Sequence, residues 1–375
     1  MKPSAIVIGA GIAGLATARA LATRHYRVTV VERSMRIAGA SIRNFGMIWP
    51  IGQPAGTRYQ QAMLSRRIWK ETCEAAGIWF DEVGSLHVAY QPDEWSILQE
   101  LHEIYSERGY RLMSADETRR RCLSVVPAQL KGSLYSPDEM IVDPRIAVPA
   151  IAAWLQEKYG VVFRFGKAVT GISYPAVSSG HEVWEADEIY ICSGADFETL
   201  YPEVYKSCPI TKCKLQMMRM VAQPGNYRLN AAVCGPLSLL HYESFRAVPA
   251  LAGLQKRCKA EFPAYLAHGI HVMVSQNQSG ELTIGDSHEY GSDPDPFDKS
   301  YINQMIIDYL ASFIRFEEER IAESWNGVYA KLTNGEPFLF KQPEEGVTIV
   351  NGFGGAGMTL GFGVCESLIG RKVTA

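Results

Sequence analysis

Hydrophobic and polar positions are most sharply ordered in the first 33 residues. Residues 5–8 (Ala5-Ile6-Val7-Ile8) form a continuous apolar run, the mark of a parallel strand covered on both faces. Residues 12–22 are rich in Ala and Leu, which favour helix. Residues 27–32, Arg27-Val28-Thr29-Val30-Val31-Glu32, are mostly β-branched and predict a second strand. Further along, helices are expected over 60–77, 94–109 and 117–122, and a good amphipathic one over 146–159, with Pro149 near its first turn, where proline is tolerated. Strands are expected at 161–165 and 188–192, the latter running into Ser193-Gly194-Ala195. Residues 214–221 and 270–286 read as extended, with a turn at 277–280, and 301–316 reads as helix. The chain closes with a strand at 347–351, a glycine-rich loop at 352–363 and a helix to 369. There are no repeats and no low-complexity linker.

Bulk properties narrow the class. A chain of 375 residues exceeds the size at which one core keeps growing, so two domains are expected. With 47% hydrophobic and 21% charged residues it is globular rather than disordered. The net charge of -3, without clustered Lys and Arg, gives no nucleic-acid footprint. Eight scattered cysteines contain no CxxC pair, so neither a metal site nor a redox dithiol is expected, and reduced thiols fit a cytoplasmic protein. The apolar stretch 5–18 after Lys2 imitates a secretory signal, but Gly9, Gly11 and Gly14 interrupt it and a β-rich run follows. No other stretch approaches the ~20 apolar residues that span a bilayer.

Gly9-Ala10-Gly11-Ile12-Ala13-Gly14 is G-x-G-x-x-G between the first strand and helix. The first glycine permits a tight turn, the second lets backbone approach a pyrophosphate, and the third lets helix and strand pack closely. The helix N-terminus adds ~0.3–1 kcal/mol per favourable charge. Alone the motif is weak. Glu32, 18 residues beyond Gly14 at the end of the second strand, supplies an acceptor for a ribose and argues against a 2′-phosphate. NAD and FAD remain open at this point. The six glycines of 352–363, leading into a helix, favour backbone lying against a flat ligand and a helix end that stabilises a reduced flavin.

With these residues in view the chain resembles the D-amino acid oxidase superfamily of flavoproteins, particularly the glycine oxidase and sarcosine oxidase branch. The resemblance spans nearly the whole sequence. It rests on the glycine turn with Ala18 and Glu32, on Gly39-Ala40-Ser41-Ile42-Arg43-Asn44-Phe45-Gly46-Met47, and on Val142-Asp143-Pro144. Ile191-Cys192-Ser193-Gly194-Ala195, Trp325-Asn326-Gly327-Val328-Tyr329 and the terminal glycine loop complete it. It implies an α/β chain with a glutathione-reductase-type FAD-binding Rossmann domain (1–85, 142–210 and 325–375) and an inserted mixed-sheet substrate domain (86–141 and 211–324). The residues it assigns to FAD are Gly9, Gly11, Ile12, Ala13, Gly14, Glu32, Arg33, Ala40, Ser41, Arg43, Asn44, Phe45, Gly46, Val169, Ser193, Gly194, Ala195, Trp325, Gly352, Gly354, Gly355, Ala356, Gly357, Met358 and Thr359.

The departures bear on the substrate. Tyr329 stands where glycine oxidases carry a carboxylate-binding arginine, and Thr359 where sarcosine oxidases place a lysine. Thr283 replaces the lysine associated there with oxygen, which leaves oxygen or another acceptor open. The segments 44–50 and 354–359 resemble a subgroup encoded beside phosphonate-degradation enzymes, implying an aminoalkylphosphonate or its N-methyl form. Arg43, Lys331 and His288 are candidates for the anionic end, His288 through a resemblance to a flavin-facing His-x-Tyr-Gly. Tyr242 offers a hydroxyl, and His271 lies on a strand whose pattern permits either face. The expected activity is oxidation of a C–N bond in a small amine. The alternatives are an amino-acid oxidase with a displaced cation, an NAD-dependent dehydrogenase, and a flavin-bound module without turnover.

One prediction follows directly. Val328 stands where sarcosine oxidases carry the cysteine that tethers flavin. Acid precipitation should therefore release the yellow colour into the supernatant, and colour retained in the pellet would refute non-covalent binding.

Overall fold

A computed structural model describes residues 2–374, with side chains through residue 370. The apolar run at the N-terminus becomes β1 (Ser4–Ile8), followed by α1 (Ile12–Ala22) and β2 (Arg27–Glu32). β1 sits inside a six-stranded sheet, flanked by β2 and by the strand Glu188–Ile191. Val162–Phe165 extends the sheet beyond β2, and Val347–Asn351 and Leu339–Glu344 extend it on the other side. All neighbours run parallel except the last two strands. Both faces of β1 are covered. Ala5 and Val7 enter a cluster with Leu15 and Leu21, while Ile6 and Ile8 enter another with Val177 and Ile189. This two-sided burial is why the strand reads as unbroken rather than alternating.

A second, nine-stranded mixed sheet carries the larger core. Its spine is β3 (Ile210–Met220), paired along its length with antiparallel β4 (Ile321–Leu332). β3 also holds the hairpin formed by Met273–Gln276 and Leu282–Gly285, with its turn at 277–280 as the sequence predicts. The parallel pairing of Ala232–Cys234 with Ser85–Ala89 brings in strands from the first third of the chain. The expected domain boundary at 325 falls inside β4, which belongs to this sheet residue by residue; we propose to set it at the end of that strand.

The helices follow the sequence pattern with two differences. The helix expected at 146 begins earlier, as Pro144–Tyr159, because Asp143 caps it by accepting from Arg145 N at 3.0 Å and Pro144 takes the first position. Pro149 therefore lies inside the helix. The glycine-rich loop is also shorter than expected. α2 (Thr57–Ala76) and α3 (Gly357–Thr374) pack together, and α3 already includes the glycines expected to be loop. A Cβ at Gly363 would lie 2.0 Å from Gln61 O on α2, and one at Gly361 would touch Ile12 and Ala16 of α1. Those two glycines serve close helix packing, not a flat ligand.

Glu139 ties the 3₁₀ turn Pro50–Gly52 to the large sheet. Its fully buried carboxyl accepts from Ile51 N and from the Ser85 hydroxyl, each at 3.0 Å. Burial pushes its pKa up to about 7. The folded chain then holds this proton more tightly than the unfolded chain. The corresponding stability is full below the unfolded value and is lost as pH rises from about 4.3 through 7. Urea midpoints should fall between pH 5 and 8, and Glu139→Gln should flatten that decline. A variant with the wild-type slope would remove Glu139 as its source.

Candidate functional site

At the C-terminal edge of the six-stranded sheet the chain leaves β1 through a turn that tolerates no side chain. Gly9 has φ of 104°, and a Cβ on it would lie 2.4 Å from Cys192 O. Gly14 is more constrained still, since its Cβ would meet Gly9 O at 1.9 Å. The first residue of α1, Ile12, donates its N–H to the Ser41 hydroxyl at 2.9 Å. Glu32 accepts from Ala10 N at 2.8 Å and from Ser34 N at 2.9 Å, so its carboxylate braces the turn from the end of β2.

These groups open on a cavity of about 670 Å³ that extends between the two sheets. Gly9, Gly11, Ile12, Ala13, Glu32, Arg33, Ala40, Ser41, Arg43, Asn44, Phe45, Val169, Ser193, Gly194 and Ala195 line it. So do Gly352, Gly354, Gly355, Ala356, Gly357, Met358 and Thr359 from the far end of the chain. Three residues assigned to the cofactor stand off its wall. Gly14 is consumed by the strand–helix contact, and Gly46, with φ of 75°, turns beside Val142 O. Trp325 instead donates its indole N–H to Arg43 O at 3.2 Å and so steadies the loop. The Thr359 hydroxyl, buried, accepts from Trp49 N at 2.9 Å, a purely structural bond. Thr283 is also off the wall, paired with Arg219 Nη2 at 3.3 Å.

The large sheet supplies the other end. Phe45, Met47, Trp49, Leu215, Met217 and Met273 form its apolar wall. β4 contributes Tyr329 and Lys331, both on the cavity, and a Cβ at Gly355 would sit 3.6 Å from the Tyr329 hydroxyl. The Lys331 stem lies against Gly354, and its ammonium donates to the Tyr290 hydroxyl at 3.0 Å. Burial lowers its pKa. Arg43 lines the cavity while Nη1 donates to Asn326 O at 3.2 Å. Tyr242 lies beneath Gly52, its hydroxyl 3.0 Å from the Met273 sulfur. Burial drives the Tyr242 and Tyr329 phenols well above their ordinary range.

Three residues that sequence reasoning did not assign, Asp286, His241 and Arg246, join them, beside His288, which it assigned, and His271, whose face it left open. His271 and Asp286 face each other across the open end of the hairpin, where their backbones exchange hydrogen bonds of 3.3 and 3.0 Å. His241 lies tilted against His271 with ring centroids 3.8 Å apart, and His288 lies 4.9 and 5.1 Å from those two. Burial, first of all, holds His241 and His271 well below the usual imidazole range and His288 at about 4, while it drives Asp286 well above the carboxylate range. Arg246 opens on the same space. The one available signal was Asp286 two places before His288 at a strand end; His241 directly follows one 3₁₀ turn and Arg246 lies in the next, where periodicity is silent.

The sequence matches the DAO family, FAD dependent oxidoreductase, over residues 4–370. It is 27% identical over 249 residues to the tRNA 5-methylaminomethyl-2-thiouridine biosynthesis bifunctional protein MnmC of Chromobacterium violaceum, which covers 62% of this chain and 36% of that protein. The chain thus spans about a third of the length of that curated relative. Among solved structures, glycine oxidase from Geobacillus kaustophilus has a TM-score of 0.78 at 19% identity, covering 99% of this chain and 95% of that one. L-proline dehydrogenase from P. horikoshii has a TM-score of 0.76 at 21% identity, covering 100% and 94%. At these identities the structural likeness establishes the fold.

Glu32 generates a test of the nucleotide end. Glu32→Ala should weaken dinucleotide retention by ~1.5–3 kcal/mol, the worth of hydrogen bonds to a charged group. Glu32→Gln, which keeps one acceptor, should lose less. The measurement is bound flavin per chain after exhaustive dialysis, and equal occupancy in all three proteins would place the ribose acceptor elsewhere.

Proposed function

The chain belongs to the DAO family of FAD-dependent oxidoreductases, and from that premise we propose that it oxidises a C–N bond in a small amine bearing a strongly anionic group, an aminoalkylphosphonate or its N-methyl form. The cavity fits the cofactor on its own terms. Side-chain-free backbone at Gly9, an acid at Glu32 and the N-terminal ends of α1 and α3 border one continuous space. FAD bound there supplies an acceptor for the hydride equivalent from the carbon next to nitrogen.

The observation that carries the substrate reading is charge. Lys331 and Arg246 open on the cavity, and among the described residues neither is paired with a carboxylate. An anion with more than one charge would satisfy both, with Arg43 at the rim as a third cation. The residues at the positions of the family's carboxylate clamps offer no charge: Tyr329 is a buried phenol, and the Thr359 hydroxyl is engaged by Trp49 N. The apolar wall of Met47, Leu215, Met217 and Met273 suits the carbon skeleton and keeps water from the reacting carbon.

Amine oxidation needs an unprotonated nitrogen. For an alkyl amine with a pKa of ~10.4, reaching 7 requires ~4–5 kcal/mol of differential interaction. A dry pocket beside unpaired cations acts in that direction, and the Tyr242 and Tyr329 hydroxyls are the neutral groups that orient the nitrogen. The curated relative's name contains a methylaminomethyl group, which is in keeping with C–N chemistry on an N-alkyl amine. Glycine oxidase and L-proline dehydrogenase keep an amino-acid substrate as the second reading.

The test is anaerobic flavin reduction and kcat/KM for 2-aminoethylphosphonate and N-methyl-2-aminoethylphosphonate beside glycine, sarcosine and proline. The phosphonates should win by at least tenfold. Arg43→Lys should lose more than charge conservation predicts, since a guanidinium holds a phosphonate through two parallel hydrogen bonds and an ammonium does not. Glycine, sarcosine or proline winning would overturn the substrate. Unchanged selectivity in Arg43→Lys would remove Arg43 from the anion site alone.

A further inference from the structure

We infer that His241, His271 and His288 form a binding site for one divalent transition-metal ion, of the zinc type, on the wall of the substrate cavity. One nitrogen from each histidine lies within 4.8 Å of the others. His271 is 4% exposed, and neither of its ring nitrogens has a hydrogen-bond partner. Buried polar groups are almost always paired, so two orphaned nitrogens on one ring ask for an occupant. His288 is oriented as a metal ligand is: its Nδ1–H donates to Gly269 O at 2.9 Å, which fixes the tautomer and leaves the lone pair on Nε2.

Asp286 adds a further unpartnered donor atom to the group. Its Oδ1 is also buried without a partner, 3.3 Å from His271 Nε2, and its Oδ2 is 3.9 Å from His288 Nε2. A cation meets nitrogen lone pairs and a carboxyl oxygen that has no other partner, whereas an anion finds no charged donor among these four side chains. Three neutral histidines with an adjacent carboxylate suit zinc and its neighbours, and nitrogen ligands at about 2.0–2.1 Å are reached by modest side-chain rotation from the present spacing. All four residues border the cavity, so a position left open on the ion faces it and accepts an anionic oxygen of whatever small molecule binds there.

This inference stands apart from the substrate reading because its test needs no amine. The FAD-loaded full chain is dialysed against a chelator, titrated with Zn²⁺ by calorimetry, and its metal content is measured by mass spectrometry. The same is done with Co²⁺, whose absorption beyond 550 nm reports a nitrogen-rich tetrahedral site clear of the main flavin bands. One ion per chain is expected, with binding weakened at least 100-fold in His271→Gln and in His288→Gln. The exposed His181→Gln should bind as wild type does. Flavin occupancy confirms that each variant is folded; if His271→Gln loses it, His241→Gln serves in its place. Less than a tenth of an ion per chain, or stoichiometric binding that survives these variants, would overturn the site.

Discussion

Gly14 lies so close to the carbonyl of Gly9 that no side chain fits between them, and the nucleotide half of the molecule is organised around this contact. It fixes how near α1 comes to β1. That distance in turn sets where the helix N-terminus points and how far Ser41 must reach to receive Ile12 N. α3 then packs on α1 through its own glycines, so the last segment of the chain is held against the first. A side chain at Gly14 would not remove a contact. It would push apart the frame on which Glu32, Ser41 and Gly355 are mutually positioned.

The other half is built on β3 and β4, whose long antiparallel pairing carries Tyr329 and Lys331 to the cavity. The hairpin beside β3 adds His271 and Asp286 at its open end, and the chain beyond it adds His288. The residues proposed for the cofactor thus come largely from turns beside the parallel sheet, and those proposed for the substrate from the mixed sheet and the turns beside it. The two sets meet only in the folded chain. Lys331, Arg246 and Arg43 reach the cavity from three different segments, and among the described residues none of the three forms an ion pair with a carboxylate.

What was legible in the sequence followed from local rules. Residues 5–32 announced strand, turn, helix and strand because β1 is buried on both faces and its glycines have no substitutes. The acid at Glu32 was legible for the same reason. Less legible was the end of the chain, where glycine density suggested loop although Gly361 and Gly363 serve helix packing; composition alone does not separate a glycine needed for its φ from one needed for its size. Asp286, His241 and Arg246 were hidden because their proximity is made by strand register and by 3₁₀ turns. No period in the sequence reports either. Cysteine spacing spoke only for cysteines, so the histidine group, drawn from residues 241, 271 and 288, lay outside what spacing reveals.

The hairpin whose open end carries His271 and Asp286 is built into the large sheet on both sides, between Ile210–Met220 and Ala232–Cys234. The strands around the glycine turn do not touch it in their pairing. Its open end borders the cavity, while its ties to the other half, from Ser275 to Phe45 O and from Asn277 to Asp143, lie nearer its turn. A fold arranged in this way keeps the glycine turn and the histidine and aspartate residues on separate sheets, so that side chains at one can be exchanged without touching the strands of the other.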